Sequence, residues 1–227
     1  MLYYLGFLAL LWAMIDWQWS WALGSLAVHV IVITVFSAVT HRYFCHRAYR
    51  ADPLLMWMLS WIPVVYTYSS PVAWTRLHTA HHAHADTDLD SHVKGWFGLL
   101  TTYYRIPSIK YAVAGRWFYD RRHDWLHAHS FLLPLLAIVI LASTSMQALI
   151  YCYLIPVFTL HFVGNLHNIF SHSTTGALDR WYMEYLLPLG GEWIHAPHHD
   201  HAGQARFAQH WYHLDTGWWL SRLLVKN

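Results

Sequence analysis

Residues 22–46 read ALGSLAVHVIVITVFSAVTHRYFCH, and the fold turns on how they are read. From Ala22 to Val39 there is no formal charge, and His29 is the main polar intrusion. About 20 mostly apolar residues are enough to cross the hydrocarbon core of a bilayer. The run ends on His41 and His46, so a membrane span delivers two imidazoles to one face of the bilayer.

Working outward, Leu2–Trp21 is a second apolar run, interrupted by Asp16 and Gln18. The segment between the two runs, Asp16-Trp17-Gln18-Trp19-Ser20-Trp21, is polar and aromatic, as suits the tip of a hairpin at the interface. A signal peptide is disfavoured, because no basic n-region precedes the first run. A later pair mirrors the first: Phe131–Ala142 and Gln147–Phe162, joined by Ser143-Thr144-Ser145-Met146. Pro53–Val65 is too short to span and reads as a re-entrant or interfacial helix. All 14 Lys and Arg fall at Arg42 or later and none lies in a hairpin tip. Basic residues accumulate on the cytoplasmic side. The expected architecture is therefore an all-α integral membrane chain forming one domain over 1–227. Four spans, at about 2–21, 22–40, 131–144 and 147–165, make two hairpins. A cytoplasmic helical cap takes 41–130 and 173–227, with both termini inside.

The composition agrees. The chain is 56% hydrophobic and 11% charged, against about 25% charged in an ordinary soluble domain. Disorder, a nucleic-acid-binding arm and a disulfide scaffold are excluded by the same figures. Cys45 and Cys152 lie in separate apolar runs and are not expected to pair.

The 20 histidines are the anomaly. Most fall in four groups at the cytoplasmic ends of the spans. His41 and His46 sit five apart, suiting a helix end that unwinds slightly. His78, His81 and His82 share one helical face. His195, His198 and His199 repeat the spacing, with Pro197 requiring a loop or a helix start. In the third group, His161, Asn165, Asn168 and His172 step by four, three and four along one helical stripe. That makes His172 a ligand and Asn168 a ligand through water, with His161 deeper, lining a channel. His167 points elsewhere unless the helix breaks. Eight or nine converging imidazoles exceed what one tetrahedral zinc accepts and call for two metals; imidazole suits Fe, Zn, Cu and Ni. No thiolates accompany them. His29 reads as a hydrogen-bonded structural residue.

These residues resemble the integral-membrane fatty acid desaturases, particularly the Δ9 acyl-chain group. The family's H-x-x-x-x-H, H-x-x-H-H and H-x-x-H-H boxes are matched at 41/46, 78/81/82 and 195/198/199. Asp86-Thr87-Asp88-Leu89-Asp90-Ser91-His92 resembles the family's D-T-D-x-D-P-H, with Ser91 in the place of Pro. Glu192 stands where the family has a Glu before the last box, while Ala196 and Pro197 replace its Asn-rich pair. The tail from Gln204 to Leu224 is also similar. The resemblance implies two ferrous ions held by His41, His46, His78, His81, His82, His172, His195, His198 and His199, with Asn168 linked through water. His167 is a rival to His172, since its distance to the last box also fits the family.

By the same resemblance the reaction is oxygen-dependent desaturation of a fatty acyl chain, Δ9-type, giving a cis double bond. The acyl carrier is CoA, acyl-carrier protein or a membrane lipid. The electron donor is external, a ferredoxin or a small haem protein docking on the cytoplasmic face, because no haem, flavin or iron–sulfur motif is present. Dioxygen is the co-substrate. Asp86, Asp88, Asp90, Glu192 and Asp200 lie beside ligands and are expected to orient imidazoles through their second nitrogens. Trp57, Trp61, Trp74, Trp96 and Tyr103 are candidate walls of a substrate tunnel. The rival activity is hydroxylation of an alkyl, sphingoid or carotenoid chain on the same scaffold. A metal transporter would instead string its histidines across the membrane.

Overall fold

The computed structural model describes residues 1–92, 96, 99, 121–173 and 176–226. Its frame is helical: α1 (Leu2–Ile15), α2 (Trp19–Cys45), α3 (Pro53–Thr67), α4 (Pro71–His84), α5 (Arg121–Ala128), α6 (Leu132–Thr144) and α7 (Met146–Phe170). A two-stranded hairpin follows, β1 (His172–Ser173) and β2 (Gly176–Ala177). Two short helices close the chain, α8 (His195–Asp200) and α9 (Thr216–Leu224).

Helices α2 and α7, of 27 and 25 residues, are each long and apolar enough to cross a membrane. Helices α5 and α6 together make a third candidate, bent by 61° at the break between them. The span expected over 2–21 is shorter than that. Asp16, Trp17 and Gln18 interrupt it, and Trp19 already belongs to α2, so α1 keeps 14 residues. At the helical rise that is about 21 Å, less than the bilayer core. Large apolar side chains face outward on α1 (Leu8, Met14, Ile15), α2 (Leu23, Ile31) and α6 (Val139, Ile140), as on helices set in lipid rather than water.

Interior contacts hold the two long helices together. Val32, Ile33 and Phe36 of α2 pack with Leu160 and Val163 of α7, under Leu189 and Trp193 of the loop before α8. Helix α1 lies on α7 at Gly6, where a Cβ would run into the Leu154 carbonyl and the Phe158 side chain; small residues permit such close approach. Pro156 cannot donate to the carbonyl four residues back, and the freed Cys152 oxygen accepts the Tyr66 hydroxyl at 2.9 Å. Both cysteines are free.

Two stretches depart from α geometry and are π-helical: Phe36–Cys45 at the end of α2 and Ile150–Leu154 within α7. The first explains the five-residue spacing of the first histidine pair. A π turn bonds residue i+5 to residue i, and the His46 amide donates to the His41 carbonyl at 3.2 Å. Such turns recur at functional sites.

Candidate metal centre

The histidine-bearing elements meet at one end of the helical frame. The π end of α2 supplies His41 and His46, α4 supplies His78, His81 and His82, and α8 supplies His195, His198 and His199. Helix α4 is started by Pro71 and capped by the Ser70 hydroxyl on the Ala73 amide at 3.1 Å. Pro197 is accommodated in the first turn of α8, where its missing N–H leaves no bond unmade.

The imidazoles sort into two groups. In the first, single ring nitrogens of His41, His46, His78, His82 and His198 lie within 4.8 Å of one another. Their Nε2 atoms face inward, with His41 2.7 Å and His46 2.8 Å from His78, and His82 3.0 Å from both His78 and His198. In the second, His81, His172, His195 and His199 converge within the same limit. There Nε2 of His195 is 2.8 Å from His172 and 3.0 Å from His199.

The outer ring nitrogens show that this donor set fits metal ions. Nδ1 of His41 is 2.7 Å from the Glu192 carboxylate, and Nδ1 of His81 is 2.9 Å from Asp90. A carboxylate on Nδ1 fixes the hydrogen there and leaves the Nε2 lone pair aimed at the centre, the usual arrangement behind a metal-bound histidine. Protonation is also suppressed. Burial first, and neighbouring imidazoles second, push His82 down to about 2. Burial and His172 bring His199 to about 4. His78, His195 and His198 are held well below the ordinary value for the same reasons. Neutral imidazole is the ligating form.

Of the two rivals in the third group, His172 joins the second cluster and His167 does not. The helical stripe expected through 161, 165, 168 and 172 is broken, because α7 ends at Phe170. His172 lies in β1, paired with Ala177, and the hairpin turns its ring back to the site. His167 Nε2 donates to the Glu192 carbonyl at 2.9 Å, and its ring stands edge-on to His195 at 4.4 Å. Asn168 lines the adjoining cavity and bonds His167 through its side chain.

The carboxylates divide as well. Asp86, at a left-handed φ of 65°, lies 3.5 Å from Nδ1 of His172, an ion-pair distance rather than a hydrogen bond. Asp88 and Asp200 are exposed, and Asp200 reaches His199 only through its charge. Neither is set to orient a ring as expected, because the turn after α4 and the end of α8 direct them to the surface.

An apolar cavity of about 200 Å³ opens against His41, His78, His167 and His195. Of the expected tunnel residues among the described ones, only Trp74 lines it, stacked on His78 at 5.7 Å and edge-on to Phe36 at 4.9 Å. Trp57 packs on Trp61, which stacks on Trp125 of α5, so both serve helix packing. Trp96 is 64% exposed, and Tyr103 lies outside the described residues. His161 does line the cavity, stacked on Tyr68 at 4.7 Å.

Sequence reasoning missed the ionic net behind the first group. Arg42, fully buried, donates to Asp215 at 2.7 Å, to the Gly190 carbonyl at 3.2 Å and to Ser37, which in turn donates to Glu192. Burial lifts the Glu192 carboxyl and the Arg42 guanidinium pulls it back. Asp215 also accepts the amides of Phe207, Ala208 and Trp218. The available signal was a formal charge inside the first histidine box, in a chain with few charges to spend. His92, which closes the D-T-D-x-D-S-H stretch, forms a third group with His81 and Asp90.

No family model matches the chain. Among curated proteins it is 26% identical to an sn-2 palmitoyl-lipid 9-desaturase of Nostoc sp. (strain 36), over 92% of this chain and 80% of that one. It is 27% identical to an sn-1 stearoyl-lipid 9-desaturase of Anabaena variabilis, over 98% and 88%. A chloroplastic palmitoyl-monogalactosyldiacylglycerol delta-7 desaturase of Arabidopsis thaliana is 23% identical over 91% of this chain and 61% of its own length. These relatives are lipid desaturases, which are oxidoreductases, and the two imidazole groups fit a di-iron site, so the resemblance read from the histidine boxes holds.

Proposed function

We propose that this chain is a membrane-bound desaturase that introduces a cis double bond, Δ9-type, into the acyl chain of a membrane lipid. The observation that carries the reading is the pairing of two all-imidazole donor groups with one apolar cavity that opens onto both. Each relative's name speaks for that relative; the lipid-bound substrate is carried over here from the first two.

In this reading His41, His46, His78, His82 and His198 hold one iron, and His81, His172, His195 and His199 the other, with Asn168 bound through water. When bound, ferrous iron supplies with dioxygen the oxidising chemistry that removes hydrogen from an unactivated methylene, which no side chain can do as an acid or base. The protein's part is placement. Glu192 and Asp90 keep the Nδ1 hydrogens of His41 and His81 in place. Phe36, Trp74 and Leu160 make a dry wall that holds a flexible chain beside the donors. Overall, two hydrogens leave the chain, two electrons and two protons arrive from outside, and both oxygens end as water. The electrons come from a ferredoxin or small haem protein at the cytoplasmic face. The whole chain forms one domain with four spans, α1 and α6 completing what α2 and α7 begin, and with both termini and the active site cytoplasmic.

The test is product analysis with iron quantified in the purified protein. Olefinic lipid, about two irons per chain and loss of product in the His81→Ala variant are expected. Hydroxylated chains without olefin would move the assignment to the hydroxylase on this scaffold. A protein that binds no iron would end it.

A further inference from the structure

The apolar cavity has two polar regions. One is the imidazole end. The other is the corner between α3 and α4, where Thr67, Tyr68 and Ser69 line the cavity together with His161 of α7. His161 lies six residues before His167, about 9 Å along the helix. Its ring stacks on Tyr68 at 4.7 Å and belongs to none of the donor groups.

This corner sits at an edge of the lipid-facing layer. Tyr68 stacks at 6.5 Å on Phe131, the exposed residue that caps the start of α6. From there α6 is apolar and turns Val139 and Ile140 outward. On the other side of the 61° bend, α5 carries Arg121, Arg122 and Asp124. A change from apolar to charged along one chain, with aromatic rings at the change, marks the layer between hydrocarbon and headgroups. The ester groups of membrane glycerolipids lie in that same layer.

Nε2 of His161 is buried and has no hydrogen-bond partner. A buried polar nitrogen left unpaired is costly, and a polar ring inside a membrane helix calls for a use. Its neighbour Thr67 has no hydrogen to spare, because the hydroxyl donates to the Pro63 carbonyl at 2.8 Å. A neutral imidazole with its hydrogen on Nε2 donates to a carbonyl oxygen. A saturated acyl chain offers one such acceptor, its ester carbonyl.

We propose that His161 is a positioning residue that donates a hydrogen bond from Nε2 to the ester carbonyl of a membrane lipid, whose chain enters from the bilayer at the Tyr68–Phe131 edge. The distance from His161 to the imidazoles then sets how many carbons separate the ester from the reacting methylenes. The inference rests on the acyl-lipid reading above.

The experiment supplies the purified enzyme in nanodiscs with dipalmitoyl phosphatidylglycerol or with its dihexadecyl ether analogue, which has a methylene where each ester carbonyl stands. Wild type should favour the ester by about threefold to tenfold in KM, the worth of one hydrogen bond, with kcat little changed. His161→Leu should lose that preference and scatter the double bond over neighbouring positions. His161→Gln keeps an N–H donor and should recover part of both. Equal handling of ester and ether by wild type, or a preference that survives in active His161→Leu, overturns the proposal. A chain longer by two carbons should carry its double bond at the same distance from the ester; a bond that keeps its distance from the methyl end overturns the proposal too. If His161→Leu does not fold, the wild-type comparison and His161→Gln still decide. Displacement of a fluorescent lipid from the purified protein separates the proposal from the reading beneath it. Tighter binding of the ester by wild type supports the His161 contact whatever product forms. Wild type that binds the two lipids alike overturns the contact, and wild type that binds neither ends the acyl-chain reading with it.

Discussion

Behind the five-donor group stands a buried ionic net; behind the four-donor group stand two carboxylates of unequal grip. Glu192 holds His41 at 2.7 Å and is itself held by Ser37, within 3.7 Å of the Arg42 guanidinium that Asp215 anchors. Asp90 holds His81 at 2.9 Å and also accepts the amides of Asp86 and His92. Asp86, partly exposed in the turn after α4, stands off at 3.5 Å from His172, which lies on a two-residue strand beyond the end of α7. The first group is thus built from three helices and locked from behind. The second borrows one ligand from a hairpin. Preorganised ligands lose less on binding a metal, so the first group should bind more tightly and tolerate less disturbance of its surroundings.

The most drastic way to sharpen the contrast is to delete a ligand on each side. His198→Ala leaves four imidazoles at the first group, and His199→Ala leaves three at the second. Both should abolish product. Iron measured per chain should fall by about one equivalent in His199→Ala and by less in His198→Ala, where four donors remain. Equal loss of iron in the two variants would remove the asymmetry.

The next largest effect is on stability. Asp215→Asn leaves the Arg42 charge buried with its main partner gone, and breaking a buried pair from one side costs about 3–5 kcal/mol. Thermal unfolding in detergent should drop well below wild type, whereas Asp86→Ala, at a partly exposed site, should unfold with wild type. Gly217 tightens the expectation, because a Cβ there would strike both Arg42 and Ser37.

Smaller again are the carboxylates that touch rings. Outer-shell partners are worth about 10–100-fold in metal affinity or activity. Glu192→Gln should lie at the upper end of that range, Asp90→Asn in the middle and Asp86→Ala at the bottom, read as iron affinity by competition with a chelator. Should Asp86→Ala prove the most damaging, the hairpin rather than the ionic net is the rigid part of the site.

Much of this site is legible in the sequence, and what is not has a physical cause. The three histidine boxes can be read because residues three and four apart share a helical face wherever the helix sits. The five-residue spacing of His41 and His46 signals an unwound turn, and the π geometry supplies it. His172 was placed on a helical stripe because periodicity cannot announce where a helix stops; α7 ends at Phe170 and a hairpin does the rest. Asp88 and Asp200 sit beside ligands in sequence but face outward, since adjacency along a chain does not fix direction in a turn. Arg42, Ser37 and Asp215 are far apart in sequence, and no local pattern connects them. The four-span expectation met the same limit. Hydropathy finds apolar runs and the polar turn at Asp16–Gln18, but the bend between α5 and α6 depends on packing.

The smallest contrast is one of pH, in the metal-free protein. The relevant rings are His82, brought to about 2, and His199, brought to about 4, against an ordinary value near 6.5. Because the folded pKa is the lower one, the unfolded chain takes up protons first as pH falls. Stability is therefore fully present above about 6.5 and declines below it. The contribution of His199 levels off near pH 4, while that of His82 goes on falling towards pH 2, so the five-donor group should feel acid over the wider window. Bound metal keeps protons off the same lone pairs, which are already unprotonated above about pH 4, so saturating iron should raise the curve without flattening it there and should carry the decline to lower pH. Unfolding midpoints measured from pH 7 down to about pH 2, with and without metal, test this in wild type and in His82→Ala. The variant should lose part of the acid sensitivity, and an acid response identical to wild type would mean that His82 does not carry it.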